Sequence, residues 1–230
     1  MSKKNYNIID DGFNAELVEH ALFQGILEIP SIEAPNEIRI PSSLTPFSKR
    51  NYAESFDTAI CEYEHDVRFA DLIYATQNYV DDIGRFSAFI TPDCSLYRDM
   101  PLCLQIANTY FSRAVGASFQ SNGMYVITNI RWGDERSYTK CELPEKFAFL
   151  GAPKRSIVSI GTYGCIRGTE NKYYFKAGLD AMLQELEPQV VLVYGSMPDD
   201  IFGDYIKSTR FVQYDDWTSR KRRRSGDGNK

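Results

Sequence analysis

Residues 190–194 read Val-Val-Leu-Val-Tyr, an unbroken apolar run bounded by Pro188 before it and Gly195 after it. A strand with one wet face alternates apolar and polar side chains. A continuous run of this length suits a strand covered on both faces, which points to a parallel sheet packed by helices. Similar short β-rich runs recur along the chain. Strands are predicted over residues 58–63, 86–91, 124–130, 156–161, 190–194 and 211–214. The segments between them carry helical periodicity. In residues 100–120 the apolar positions Cys103, Ile106, Ala107, Tyr110, Phe111, Ala114 and Val115 form an i, i+3, i+4, i+7 stripe. Residues 171–187 carry a second stripe, Phe175, Leu179, Met182, Leu183 and Leu186, which Pro188 ends. Shorter helices fit residues 67–78 and 198–206.

Strand–helix alternation calls for right-handed crossovers. The expected fold is α/β, with a mostly parallel sheet of about six strands and alternating helices. It is either an incomplete TIM-like barrel or an open doubly wound sheet. The barrel-like version is preferred, because sequential strand order brings every strand end to one mouth. A further strand over residues 25–32 could extend it. Residues 29–52 hold Pro30, Pro35, Pro41 and Pro46 and read as an irregular arm. The expected organisation is an N-terminal segment (1–57), an α/β domain (58–217) and a disordered basic tail (218–230).

A chain of 230 residues that is 43% hydrophobic and 13% aromatic can bury a sizeable core. Its first residues lack the apolar stretch of a signal peptide, and no segment approaches about 20 apolar residues. No membrane partner is expected, and the protein should work in the cytoplasm of a bacterial host. The five cysteines, Cys61, Cys94, Cys103, Cys141 and Cys165, include no C-x-x-C pair, so reduced thiols are expected. The two histidines, His20 and His65, stand apart from the segments singled out below, which weakens zinc and Ser-His-Asp chemistry. G-x-x-x-x-G-K-[ST], a post-strand G-x-G-x-x-G and C-x-x-x-C-x-x-C are all absent. Motor ATPase, Rossmann and radical iron–sulfur chemistry are therefore unsupported.

In parallel α/β folds, sites form beyond the C-terminal ends of the strands. That rule selects Asp93 and Ser95 with Arg98, then Asn129 with Arg131, Trp132, Asp134 and Glu135, then Tyr163 and Gly164, and then Ser196. Asp93, Asp134 and Glu135 could converge to hold Mg²⁺ through hard oxygen ligands. In a hydrolytic version Asp93 and Asp134 would be catalytic, with Arg131 neutralising developing charge. Arg98 and Arg131 could grip a phosphate, and Trp132 could stack on a ring. The same residues also have a structural use, with Asp99 capping the following helix and Asp134 and Glu135 pairing with Arg131 and Arg136. Arg113 is the weakest member of the arginine group, because it sits on a helix away from the loops.

The runs TPDCSLYRDMPLCLQIANTYFSRAVG, VITNIRWGDERSY, SIVSIGTYGCI and VVLVYGSMPDDIF resemble a phage and bacterial family known as a domain of unknown function, DUF4417. The resemblance covers roughly residues 40–215. It implies a mobile-element origin and brings no established activity or catalytic residues.

Charge is uneven. Six of the 26 basic residues lie in the last eleven positions, against one of the 31 acids. Arg220, Lys221, Arg222, Arg223 and Arg224 could give an otherwise acidic protein salt-sensitive affinity for DNA or RNA. The expected function is binding of a phosphate-bearing ligand, nucleic acid or nucleotide, at the strand ends, with metal-dependent hydrolysis as an extension. The alternative is a non-catalytic protein that binds a host component.

Overall fold

The computed structural model describes residues 14–220. Seven strands form one sheet: β3 (Leu44–Pro46), β4 (Ala59–Cys61), β5 (Ala88–Ile90), β6 (Val126–Asn129), β7 (Ile157–Gly161), β8 (Val190–Tyr194) and β9 (Arg210–Tyr214). Every neighbouring pair is parallel, and the spatial order equals the chain order. A doubly wound sheet must reverse its order at a switch point; this one does not, so it is the barrel-like alternative. Before it, β1 (Phe23–Gln24) and β2 (Ile29–Pro30) make a separate antiparallel ribbon.

The sheet is curled into a half-barrel. Tyr63 follows β4 and Tyr194 ends β8, yet their rings stack with centroids 4.8 Å apart and 15° between planes. In a flat sheet, four strand spacings would separate them by about 19 Å. The two edges are also joined by side chains, since Tyr214 Oη of β9 donates to the Pro41 carbonyl at 2.6 Å. Strand alternation sorts the core into two layers. Ala59, Cys61, Ile90, Ile127, Ile157 and Leu192 fill the concave side. Val158, Ile160, Val191 and Val193 face outward onto α5 (Thr169–Leu186), while Ile60, Phe89 and Val126 face α3 (Leu102–Ser121). From β3 to β8 every strand residue is buried, which explains the near-continuous apolar runs.

The remaining helices are short: α1 (Ala70–Tyr74), α2 (Val80–Ile83), α4 (Glu135–Tyr138) and α6 (Asp199–Phe202). The single helix expected over 67–78 is instead a chain of 3₁₀ and α turns. It breaks at Ala75 (φ −140°), and Thr76 Oγ1 donates back to the Leu72 carbonyl. Three further expectations change. The strand expected over 25–32 belongs to the ribbon and not to the sheet. The proline-rich arm contributes β3, an edge strand, where prolines such as Pro46 are tolerated. Pro101, and not Asp99, occupies the N-cap position of α3. The two long amphipathic helices match their predicted spans to within two residues. Among the described residues no helix is long and apolar enough to cross a membrane.

Candidate functional site

Each strand of the half-barrel ends in the wall of one cavity of about 750 Å³. β3 supplies Pro46, β4 leads to Tyr63 and Asp66, β5 to Asp93, β6 to Arg131, β7 to Tyr163, Gly164 and Cys165, β8 ends in Tyr194, and β9 leads to Asp216 and Trp217. A neighbouring cavity of about 200 Å³ shares Tyr97, Arg131, Gly164 and Cys165 with it.

The floor is a chain of hydrogen bonds between inward-facing side chains. Tyr63 Oη donates to Asn129 Oδ1 at 2.9 Å and lies 2.6 Å from Ser159 Oγ. Asn129 Nδ2 donates to Asp93 Oδ1 at 2.8 Å. Asp93 Oδ2 lies 3.4 Å from Arg131 Nη1, and that nitrogen also donates to Cys165 Sγ at 2.9 Å. Gly161 makes room for this arrangement, because a Cβ there would sit 2.6 Å from the Tyr63 ring.

Burial raises the pKa of Asp93, and Arg131 and Asn129 pull it back only in part, while Asp66 adds to the rise. Burial acts to lower Arg131, but Asp93 and Cys165 outweigh it and hold the guanidinium above its usual value. Burial likewise lifts the Cys165 thiol against the pull of Arg131. A carboxyl raised in this way can take or give a proton near a bound ligand. Arg131 remains a fixed cation, and both of its hydrogen bonds leave from Nη1. The cavity wall also carries Lys49, whose ammonium has no hydrogen-bond or ion-pair partner among the described residues.

Of the residues singled out from sequence, Asp93, Asn129, Arg131, Tyr163 and Gly164 come together here. Ser95 also lines the cavity, but its hydroxyl and amide hold Asp66 at 2.9 and 3.1 Å. The expected Mg²⁺ set does not assemble. Asp134 is the N-cap of α4, accepts from the Arg136 amide at 3.1 Å and pairs with its guanidinium, and neither Asp134 nor Glu135 lines the cavity. Among the described residues no group of three or more His, Cys, Asp or Glu is placed to hold a metal ion. Trp132 is 7% exposed and packed between Phe175 and Gly178, so it is not a free stacking platform beside Arg131. Arg98 lies in the smaller cavity, paired with Glu170 at 2.7 Å. Ser196 is exposed and outside both cavities, holding Thr162 through its carbonyl. Arg113 is fully buried and donates to the carbonyls of Leu150, Asn129 and Ala148. That burial, eased slightly by Cys94, lowers its pKa to about 10.

Sequence reasoning passed over Tyr63, Asp66, Ser159, Cys165 and Tyr194, and it placed His65 far from any site although His65 lines this one, while the strand-end rule does reach Asp216 and Trp217 after the last strand. The strand-end rule applied to the run at 58–63 would have found Glu64, His65 and Asp66. Of the tail, Arg220 lies against the rim, donating to the Leu44 carbonyl at 3.1 Å with its guanidinium 4.7 Å over Trp217. Lys221, Arg222, Arg223 and Arg224 lie outside the described residues.

A family model described as "Domain of unknown function (DUF4417)" matches residues 21–215. Two relatives are both named "Gene 1 protein". That of Mycobacterium phage D29 is 27% identical over 203 residues, covering 87% of this chain and 71% of the relative. That of Mycobacterium phage L5 is 30% identical over 173 residues, covering 74% and 72%. No solved structure matches.

Proposed function

This chain belongs to the DUF4417 family, and we propose that it binds a small phosphate-bearing ligand, of nucleotide size, at the mouth of its half-barrel. The observation that carries the reading is that all seven strand ends contribute to one cavity of about 750 Å³. That volume lies within the roughly 300–1,000 Å³ of small-molecule sites. Strand-end mouths are where parallel α/β folds keep their ligands.

The wall chemistry selects the ligand class. Arg131 has donors beyond Nη1 to offer, Lys49 has no partner among the described residues, and Arg68, 3.8 Å from Glu64, lines the same cavity, so an anionic group finds three cations. Tyr97, which lines this cavity and the smaller one beside it, is 55% exposed, which suits contact with a ring. Glu64, Asp66, Asp93 and Asp216 make the mouth mixed in charge, which favours one or two phosphates over a long polyanion lying inside it. A nucleic acid would engage instead through the basic residues 221–224, which follow the rim residues Trp217 and Thr218 in the chain. Metal-dependent hydrolysis is not part of this reading, because its carboxylates are not together.

Calorimetric titration of the full chain with AMP tests it. Arg131→Gln should weaken binding at least tenfold, since hydrogen bonds to charged groups contribute about 1.5–3 kcal/mol. Lys49→Gln, at a partly exposed wall position, should weaken it by a smaller factor without touching the Asp93 network. Binding that is absent, or unaffected by either change, would overturn the proposal.

A further inference from the structure

We infer that the smaller cavity is the ring-binding half of the same site, taking the base of a nucleotide whose phosphate lies at Arg131 in the larger one. This rests on the mouth reading above and adds to it the ligand's orientation and class.

The cavity holds about 200 Å³, too little for a whole nucleotide and enough for one planar ring system. Apolar and polar surface share its wall almost equally, the apolar and aromatic part coming from Leu96, Ile130, Trp132, Tyr174 and Phe175. The polar part includes Arg98, Arg131 and Asn171, with Arg98 also paired to Glu170 and Asn171 Nδ2 donating to the Arg167 carbonyl at 2.7 Å. Asn171 Oδ1 accepts from Arg98 Nη2 at 3.1 Å, and the Arg98 guanidinium lies 4.7 Å over the Tyr174 ring. An aromatic slot with one amide–guanidinium edge is what a heterocycle with hydrogen-bonding groups on its rim requires.

The connection to the larger cavity runs past Arg131 and Gly164, which line both. Gly164 has φ +79°, a conformation that favours glycine, and a Cβ there would meet nothing within 4 Å. The wall between the two spaces is therefore low at this point. Arg131 uses only Nη1 in its bonds to Asp93 and Cys165. Because Arg131 lines both cavities, its remaining donors are available to a phosphate or ribose that spans them. A ligand in this pose has its ring held by Tyr174 and its anion held by Arg131.

AMP and ribose 5-phosphate separate the two halves, because they share the phosphate and sugar and differ in the base. Calorimetric titration of the full chain should show AMP binding at least tenfold tighter. Tyr174→Ala, a partly buried position on the flank of α5, should bring AMP down to the affinity of ribose 5-phosphate and leave the latter unchanged. Asn171→Ala, a smaller change on the same helix, should weaken AMP alone. Equal binding of the two ligands to the native chain, or equal losses for both in Tyr174→Ala, would overturn the ring assignment while leaving the mouth reading standing. Failure of both ligands to bind would overturn both.

Discussion

Glu62 offers a sharp test of how the half-barrel is held together. It is 1% exposed, and neither carboxyl oxygen has a hydrogen-bond partner. Burial, and then the nearby Glu64 and Asp93 carboxylates, raise its pKa well above the ordinary value. The folded state thus binds this proton more tightly than the unfolded state, whose pKa is about 4.3. The associated stability is fully present below about pH 4.3 and is lost as pH rises through the folded pKa. Within that window one proton changes stability by about 1.4 kcal/mol per pH unit. Glu62→Gln removes the titration. Urea denaturation of both proteins at about pH 5, 6 and 7, at fixed ionic strength, gives the stability difference at each pH. The difference should move in favour of the variant by up to about 1.4 kcal/mol per unit until the folded pKa is passed. The glutamine amide brings donors without acceptors, a cost that does not vary with pH, so the slope and not the offset is the readout. A pH-independent difference would refute the reasoning, because it would mean that Glu62 titrates alike in both states.

Gly178→Ala would put a methyl group against Trp132 Nε1 inside the α5 interface, and overpacking of this kind costs about 1–3 kcal/mol. A lowered urea midpoint with an unchanged slope would show it, and an unchanged midpoint would contradict it. Removing residues 221–230 should reduce the affinity of the full chain for DNA and flatten its dependence on salt, while leaving AMP binding intact. Fluorescence anisotropy across a salt series reads both effects, and an unaltered salt slope would take the tail out of nucleic-acid binding.

The sheet was legible because both its faces are buried. Val190–Tyr194 shows that directly, since its five residues divide between the inner and outer cores. Chain order then favoured the barrel-like arrangement. β3 escaped because a three-residue edge strand that itself ends in Pro46 carries almost no pattern. The turns within residues 67–78 read as one helix because their apolar spacing is helical, and periodicity does not register the break at Ala75. Half of the site was legible in the same way. Asp93, Asn129 and Arg131 lie on strand ends and meet there. Asp134 and Glu135 follow the same strand, but the chain has already turned into α4, and a carboxylate at its start caps the helix and pairs with Arg136. Trp132 alternates with Arg131 and so faces the outer core. Tyr63 and Tyr194 carry no signal as a pair, because their contact exists only once the sheet has curled.

Ligand binding at the mouth of the half-barrel can be mapped residue by residue. Chemical-shift mapping of the full, isotopically labelled chain during titration with AMP tests it most directly. The largest changes should fall at Arg131 and Gly164, which line both cavities, with further changes at Tyr63, Asp93 and Trp217 in the mouth and at Asn171 and Tyr174 beside it. Changes confined to the outer groove around Lys172 and Lys176, or none at the mouth, would contradict it.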